Sequence, residues 1–210
     1  AIMVLAMWVV HMLSLNSDFD LAKYGILPRD ITGLRGILFS PFIHGDWKHL
    51  TNNSIPLFFL GTAIFYFYPK SAWSVWIYGW LVTGFWVWIG ARESFHIGAS
   101  GLVYVFAFFL FFSGVFNRNA HMMGLSLLIV FLYGSMVWGV LPIDVKISWE
   151  SHLLGAIIGF FIALVFRKDG PQRKKFNLEE GIEDLEEKFG KEYWNGMPQH
   201  ITHEAKPLRV

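Results

Sequence analysis

The sequence predicts an all-α membrane protein: a bundle of six transmembrane helices followed by a polar C-terminal tail that contains a short helix. Three observations carry this reading. The 210-residue chain is 54% hydrophobic, has a mean hydropathy of +0.44 and holds 10 Trp and 21 Phe, which is too apolar for an ordinary soluble domain. Its apolar residues fall in six runs, each near the roughly 20 residues that cross a hydrocarbon core of about 30 Å. The composition then changes at about residue 168: residues 1–168 hold 10 Lys/Arg and 7 Asp/Glu, whereas 169–210 hold 7 and 9. A six-span domain over 1–168 and a polar tail over 169–210 are therefore expected.

The runs cover 1–15, 50–68, 72–90, 100–116, 121–140 and 151–167. The first is short and starts within an apolar stretch, without Met. It reads as a first span trimmed at its N-terminus; the alternative, a signal-peptide core, lacks the usual basic flank. The segment 16–49 is long for a connector and rich in aromatics and proline (Pro28, Pro41, Phe39, Phe42, Trp47). It is expected to fold as a structured loop at the membrane interface, either facing a substrate and supporting a site or anchoring in the headgroup layer. The spans share no recurring pattern, which counts against inverted-repeat transporters. Beyond the last span, Asn177 can cap a helix with Glu180 three positions on, while Leu178, Ile182, Leu185 and Phe189 share one face. That predicts an amphipathic helix over about 177–194, whose acids favour a soluble packing or partner surface over a lipid anchor.

Six crossings put both termini on one side, and the even-numbered spans all begin on the other. The terminus-side segments carry Lys70, Arg118, Arg167, Lys168, Arg173, Lys174 and Lys175, against Lys23, Arg29, Arg35, Lys48, Arg92 and Lys146 opposite, a lean toward cytoplasmic termini. The absence of cysteine excludes disulfides, thiolate metal sites and a cysteine nucleophile. A net charge of +1 and the lack of a basic run interleaved with aromatics give no sign of a nucleic-acid partner. No His-Glu-x-x-His occurs and His44 and His49 lack a carboxylate at helical spacing, so neither a metal nor another cofactor is expected.

Polar residues inside spans are costly and require an account. Three groups stand at the starts of even spans: His49 with Asn53, Ser100, and His152. Ser100 lies in Gly98-Ala99-Ser100-Gly101, where small neighbours allow close approach and the helix start offers unpaired N–H groups. Residues four apart share a helix face, which pairs His49 with Asn53 and Ser100 with Tyr104. His152, Gly155 and Gly159 form His-x-x-Gly-x-x-x-Gly, and small residues there let the helices touch. If the neighbour is the fourth span, Gly101 completes the contact and His152 reaches Ser100. A serine needs a base to take its proton, which an imidazole supplies at neutral pH. An acyl-transfer oxyanion needs donors, which His49, Asn53 and the Ser100 N–H can provide. Glu150, two residues before His152, points elsewhere on a helix, so a Ser-His dyad is expected, with Tyr104 packing against or bonding to the imidazole. Each residue also has a plainer reading as a capping, packing or interhelical polar group. His44 either lines the site or orders the long loop. His11, His96 and His121 read as structural or interfacial.

At these residues the chain resembles the rhomboid family of intramembrane serine proteases. The matching stretches are Arg35, then Ser40-Pro41-Phe42-Ile43-His44-Gly45-Asp46-Trp47-Lys48-His49-Leu50 with Asn53, then Gly98-Ala99-Ser100-Gly101 with Tyr104, then His152, Gly155 and Gly159. The resemblance implies a bacterial-type six-helix core in which Ser100 attacks a peptide bond and His152 acts as general base and then acid. His49, Asn53 and the Ser100 N–H would form the oxyanion hole. It further implies membrane-anchored substrates, single-span or other transmembrane proteins, cut near the top of a transmembrane helix from the extracytoplasmic side of the cell membrane. Residues 141–150, with Trp149, would be a lid and the fifth span a lateral gate. Leu34-Arg35 stands where the family often has Trp-Arg. A non-catalytic relative that binds membrane clients would share the spans but lack the serine or the histidine. A transporter or channel would need a polar path through the bilayer, which these spans do not show.

Overall fold

The computed structural model describes residues 1–15, 20–133, 139–142 and 148–171. The expected tail helix over 177–194, the end of the fifth run and the middle of the 141–150 loop lie outside the described residues. Among the described residues the chain forms seven α-helices and no strand. These are α1 (Ile2–Leu15), the single turn α2 (Gly36–Phe39), α3 (Trp47–Phe67), α4 (Ala72–Gly90), α5 (Ser100–Asn117), α6 (Ala120–Tyr133) and α7 (Trp149–Val165).

The six long helices match the six apolar runs, with one informative shift. α3 begins at Trp47, ahead of its run, because the Asp46 side chain accepts the His49 N–H at 2.7 Å and so caps the helix one turn earlier. His49 and Asn53 thereby become helical. The same polar first turns lower the hydropathy of α3. By length and composition, α4 and α5 are the described helices able to cross a membrane, and α1 and α7 are apolar but shorter. Apolar side chains also cover the outside of the bundle: Tyr66 is 77% exposed and Trp73 68%. An aqueous surface of that kind would be unstable, whereas hydrocarbon accommodates it.

α5 is the central helix and packs against α3, α4, α6 and α7. Its Val105, Phe106, Phe109 and Leu110 are fully buried beside Leu57, Leu60 and Ile64 of α3. Contacts along the helices fix their directions. A Cβ at Gly155 would overlap the carbonyl oxygen of Gly101, and one at Gly159 that of Val105, so α7 runs parallel to α5 at backbone contact. Thr83 of α4 lies near Gly101 and Gly79 near Val105, so α4 runs antiparallel. Ser126 of α6 donates to the Phe111 carbonyl at 3.1 Å, and Trp8 of α1 to Ser54 at 3.0 Å, in antiparallel pairings as well. The N-termini of α3, α5 and α7 consequently meet at one end.

The described part of the long segment, 20–46, is structured, as expected. It folds into short 3₁₀ turns (Leu21–Tyr24, Ile31–Arg35, Ser40–Phe42) around α2. Trp80 and Trp88 of α4 donate indole N–H bonds to the carbonyls of Ile37 and Asp30 at 2.7 and 2.8 Å. Arg29, in left-handed backbone at φ +61°, reaches the Ala91 carbonyl at 2.8 Å. Arg35 donates to the Lys23 carbonyl and lies over the Tyr24 ring, so it holds the segment together without the preceding tryptophan.

Candidate active site

Three helix N-termini and one loop bring the singled-out residues together. Ser100 opens α5; its helix is entered from Ala99, which offers no side-chain cap, so the first-turn N–H groups have no intrahelical partner. His152 lies one turn into α7 and is buried. Its Nε2 is 2.8 Å from Ser100 Oγ, and its Nδ1 is 2.9 Å from the carbonyl oxygen of Gly139. A carbonyl can only accept, so Nδ1 carries the hydrogen of the neutral ring, and the Nε2 lone pair receives the serine hydroxyl. The Tyr104 ring stacks on the imidazole, centroids 4.3 Å apart and planes 12° from parallel. Packing, rather than a hydrogen bond to the ring, is how Tyr104 meets the imidazole.

Beside Ser100, the chain passes through Gly98 at φ +99°, a conformation that favours glycine. A Cβ at this position would lie 2.5 Å from His49 Nε2 and 3.2 Å from Asn53 Nδ2. Both side-chain nitrogens therefore abut the backbone that leads to Ser100. Asn53 is buried and its Nδ2 has no hydrogen-bond partner among the described residues. Gly98 itself is pinned by donating its N–H to the Ser40 carbonyl at 2.8 Å, which ties the segment 20–46 to the site.

His44 lies against His49 and bonds within its own loop. Its ring meets His49 edge to face at 4.9 Å, while Nδ1–H donates to the Phe42 carbonyl at 3.4 Å within its own loop. Burial, followed by the neighbouring His49 ring, pushes its pKa down to about 4, so the ring is neutral. His11 and His96, which read as structural or interfacial, each have polar partners. His11 donates to the His44 carbonyl at 3.2 Å and packs against Trp47, and His96 bonds Ser148 at 2.5 Å and the Arg92 carbonyl at 3.0 Å. Glu150 does point away from His152, toward Arg92, at 3.6 Å. Gly139 was not foreseen, since it acts through a backbone carbonyl that no side-chain pattern can mark.

A hydrogen-bonded serine–imidazole pair at the joined ends of apolar helices defines a class: a helical membrane protein with a polar site at one end of its bundle. A family model described as the rhomboid domain matches residues 32–169. Uncharacterized proteins of Mycobacterium tuberculosis and Mycobacterium bovis are each 31% identical to the chain over 178 residues, covering 80% of it and 73% of their own length. An uncharacterized protein of Mycobacterium leprae is 32% identical over 189 residues, covering 85% of the chain and 73% of itself. The chain belongs to the rhomboid family, whose members are integral membrane proteins and generally serine proteases.

Proposed function

We propose that this protein is an intramembrane serine endopeptidase that hydrolyses peptide bonds in or near the transmembrane segments of membrane proteins with a Ser100–His152 dyad. The observation that carries the reading is the 2.8 Å contact from Ser100 Oγ to a histidine nitrogen whose tautomer the Gly139 carbonyl sets.

In acylation, Ser100 Oγ bonds to the scissile carbonyl carbon as its proton passes to His152 Nε2. The oxyanion is received by the Ser100 N–H, His49 and Asn53. Collapse breaks the C–N bond, and the Nε2 proton goes to the leaving amine. Water then repeats the relay on the acyl-enzyme and releases the acid, which restores Ser100. Gly139 takes the place that a carboxylate has in a triad: it orients the ring and, by its carbonyl dipole, favours the imidazolium. Tyr104 backs the ring, and Gly101, Gly155 and Gly159 let α7 bring it within reach.

The reading extends to the membrane. Residues 1–168 form the protease domain with six crossings through α1, α3, α4, α5, α6 and α7, an assignment supported by their alternating directions. Cytoplasmic termini place the joined N-termini, and the site, toward the extracytoplasmic side of a bacterial inner membrane. Residues 169–210 form the polar tail that follows that domain in sequence. Single-span proteins are the natural substrates for such a site. The client-binding alternative, without cleavage, is disfavoured by the hydrogen-bonded pair.

Ser100→Ala in proteoliposomes is expected to lower cleavage of a single-span test substrate by at least about 10³-fold while leaving the melting temperature unchanged. Ser100 should also be the residue labelled by a fluorophosphonate. Cleavage that persists in Ser100→Ala overturns the assignment.

A further inference from the structure

The nucleophile and the base sit on different helices, and the closest contact between α5 and α7 is made at Gly101, Gly155 and Gly159, with Tyr104 on His152 and Phe112 on Phe160 as ring contacts beside it. Glycine contacts set the distance between the axes but do not themselves stop one helix sliding along the other. A slide of about 1 Å would break the 2.8 Å Ser100–His152 bond and cost on the order of 10²-fold in rate. Phe112 and Phe116 of α5 pack on Phe160 of α7 further along the pair, and the end that carries the dyad needs its own lock.

The start of α7 carries a polar cluster that the dyad does not use. Glu150 is 7% exposed, and its Oε1 accepts the Arg92 backbone N–H at 3.4 Å and lies 3.6 Å from Arg92 Nε. His96 Nε2–H donates to the Arg92 carbonyl at 3.0 Å, so Nδ1 of the neutral ring accepts from the Ser148 hydroxyl at 2.5 Å. Ser148 in turn lies 2.6 Å from the Ser151 hydroxyl. Ser148 occupies the N-cap of α7 yet its side chain makes no capping bond. Its oxygen bonds the side chains of His96 and Ser151 instead of a first-turn backbone N–H, at the expense of the stabilisation a serine cap ordinarily gives. His96 also exchanges both backbone hydrogen bonds with Ile26, at 2.8 and 2.9 Å, which fastens the loop to the segment 20–46.

We propose that Arg92, Glu150, His96 and Ser148 are positioning residues: a clamp that locks the start of the base-bearing helix to the loop that delivers the nucleophile. The inference rests on the proteolytic reading above. The clamp acts four residues before Ser100 at His96 and two before His152 at Glu150, so it sets the relative height of the two groups rather than touching substrate. Glu150 stands in the first turn of α7, a position where the helix dipole favours an acidic side chain.

The test is cleavage of a single-span substrate by full-length variants in proteoliposomes, with rates divided by the active sites that a fluorophosphonate titrates. Glu150→Ala and Arg92→Ala are each expected to lower kcat about 10- to 100-fold with KM within about twofold, and to slow fluorophosphonate labelling in parallel. The double variant should be no slower than Glu150→Ala, because the two act as a unit. Arg92→Lys, which keeps the charge and the backbone N–H, should recover most of the rate. Unchanged kcat per active site, with only a lower melting temperature, would mean a purely structural role and overturn the clamp. Should Glu150→Ala fail to fold, Ser148→Ala decides: kcat lowered severalfold supports the clamp and unchanged kcat overturns it. Ser100→Ala as control separates the two readings, since its continued cleavage sinks the protease assignment itself, whereas normal Glu150→Ala kinetics beside a dead Ser100→Ala sink the clamp alone.

Discussion

Asn53 carries a buried amide nitrogen without a partner among the described residues, packed against the backbone that leads to Ser100. Leaving such a donor unsatisfied costs about 1–3 kcal/mol in a resting protein. The cost makes sense where an acceptor arrives during the reaction, as an oxyanion does. Replacement should then affect turnover more than affinity: Asn53→Ala is expected to lower kcat about 10²–10³-fold with little change in KM. Steady-state kinetics on a single-span substrate checks this, and a predominant rise in KM would assign Asn53 to binding instead. His152 makes a related point. Its neutral tautomer is dictated by a main-chain oxygen rather than a carboxylate, and Glu150 faces another partner.

At the scale of elements, the decisive feature is the approach of α5 and α7. Gly101, Gly155 and Gly159 strip side chains from the interface, and the helices close to backbone contact, which brings an imidazole on one within 2.8 Å of a hydroxyl on the other. Adding one methyl group tests this directly. Gly155→Ala places a Cβ into the Gly101 carbonyl oxygen, where neither backbone can yield cheaply. A destabilisation of about 1–3 kcal/mol is expected from overpacking, together with loss of most activity as the dyad separates. Gly124→Ala in α6 is the matched control, since a Cβ there meets nothing within 4 Å and helix propensity is improved. Thermal melts and cleavage assays on both variants should separate them; equal behaviour would remove the glycine contact from the account. The 3₁₀ turns of 20–46 act at this scale too, through the Ser40 carbonyl that holds Gly98 and the Ile26 pairing that holds His96.

For the molecule as a whole, the imidazoles gathered near the site couple stability to pH. His44 and His96 lie in loops, outside the long helices, and burial holds both below the ordinary histidine range, His44 at about 4. Once unfolded, these rings titrate near 6.5, so between about pH 6.5 and 4 the unfolded chain binds protons that the folded chain refuses. Stability is therefore full above about pH 6.5 and falls as the pH drops toward 4, by up to about 3 kcal/mol from His44. Melting temperatures in detergent from pH 7.5 down to 4.5 should decline, and His44→Gln should flatten the decline. A melting temperature that rises on acidification would contradict the neutral, buried state of these rings.

The six apolar runs, the segment too rich in proline and aromatics to be a simple connector, and the grouping of Ser100, His152, His49 and Asn53 at one end were all legible in the residues. Hydrophobic length and helical spacing are properties of the chain itself, and alternation of direction places every second helix start together. The helix starts were less legible: the Asp46 cap, a local hydrogen bond, moved α3 one turn ahead of its apolar run. What only the tertiary structure decided was distance and partnership. The 2.8 Å dyad, the Gly139 carbonyl behind His152, and the bonding of Arg92 to Glu150 and His96 to Ser148 join residues far apart in sequence. Such contacts depend on how closely helices pack and which way backbone carbonyls face, and neither is written in the order of side chains.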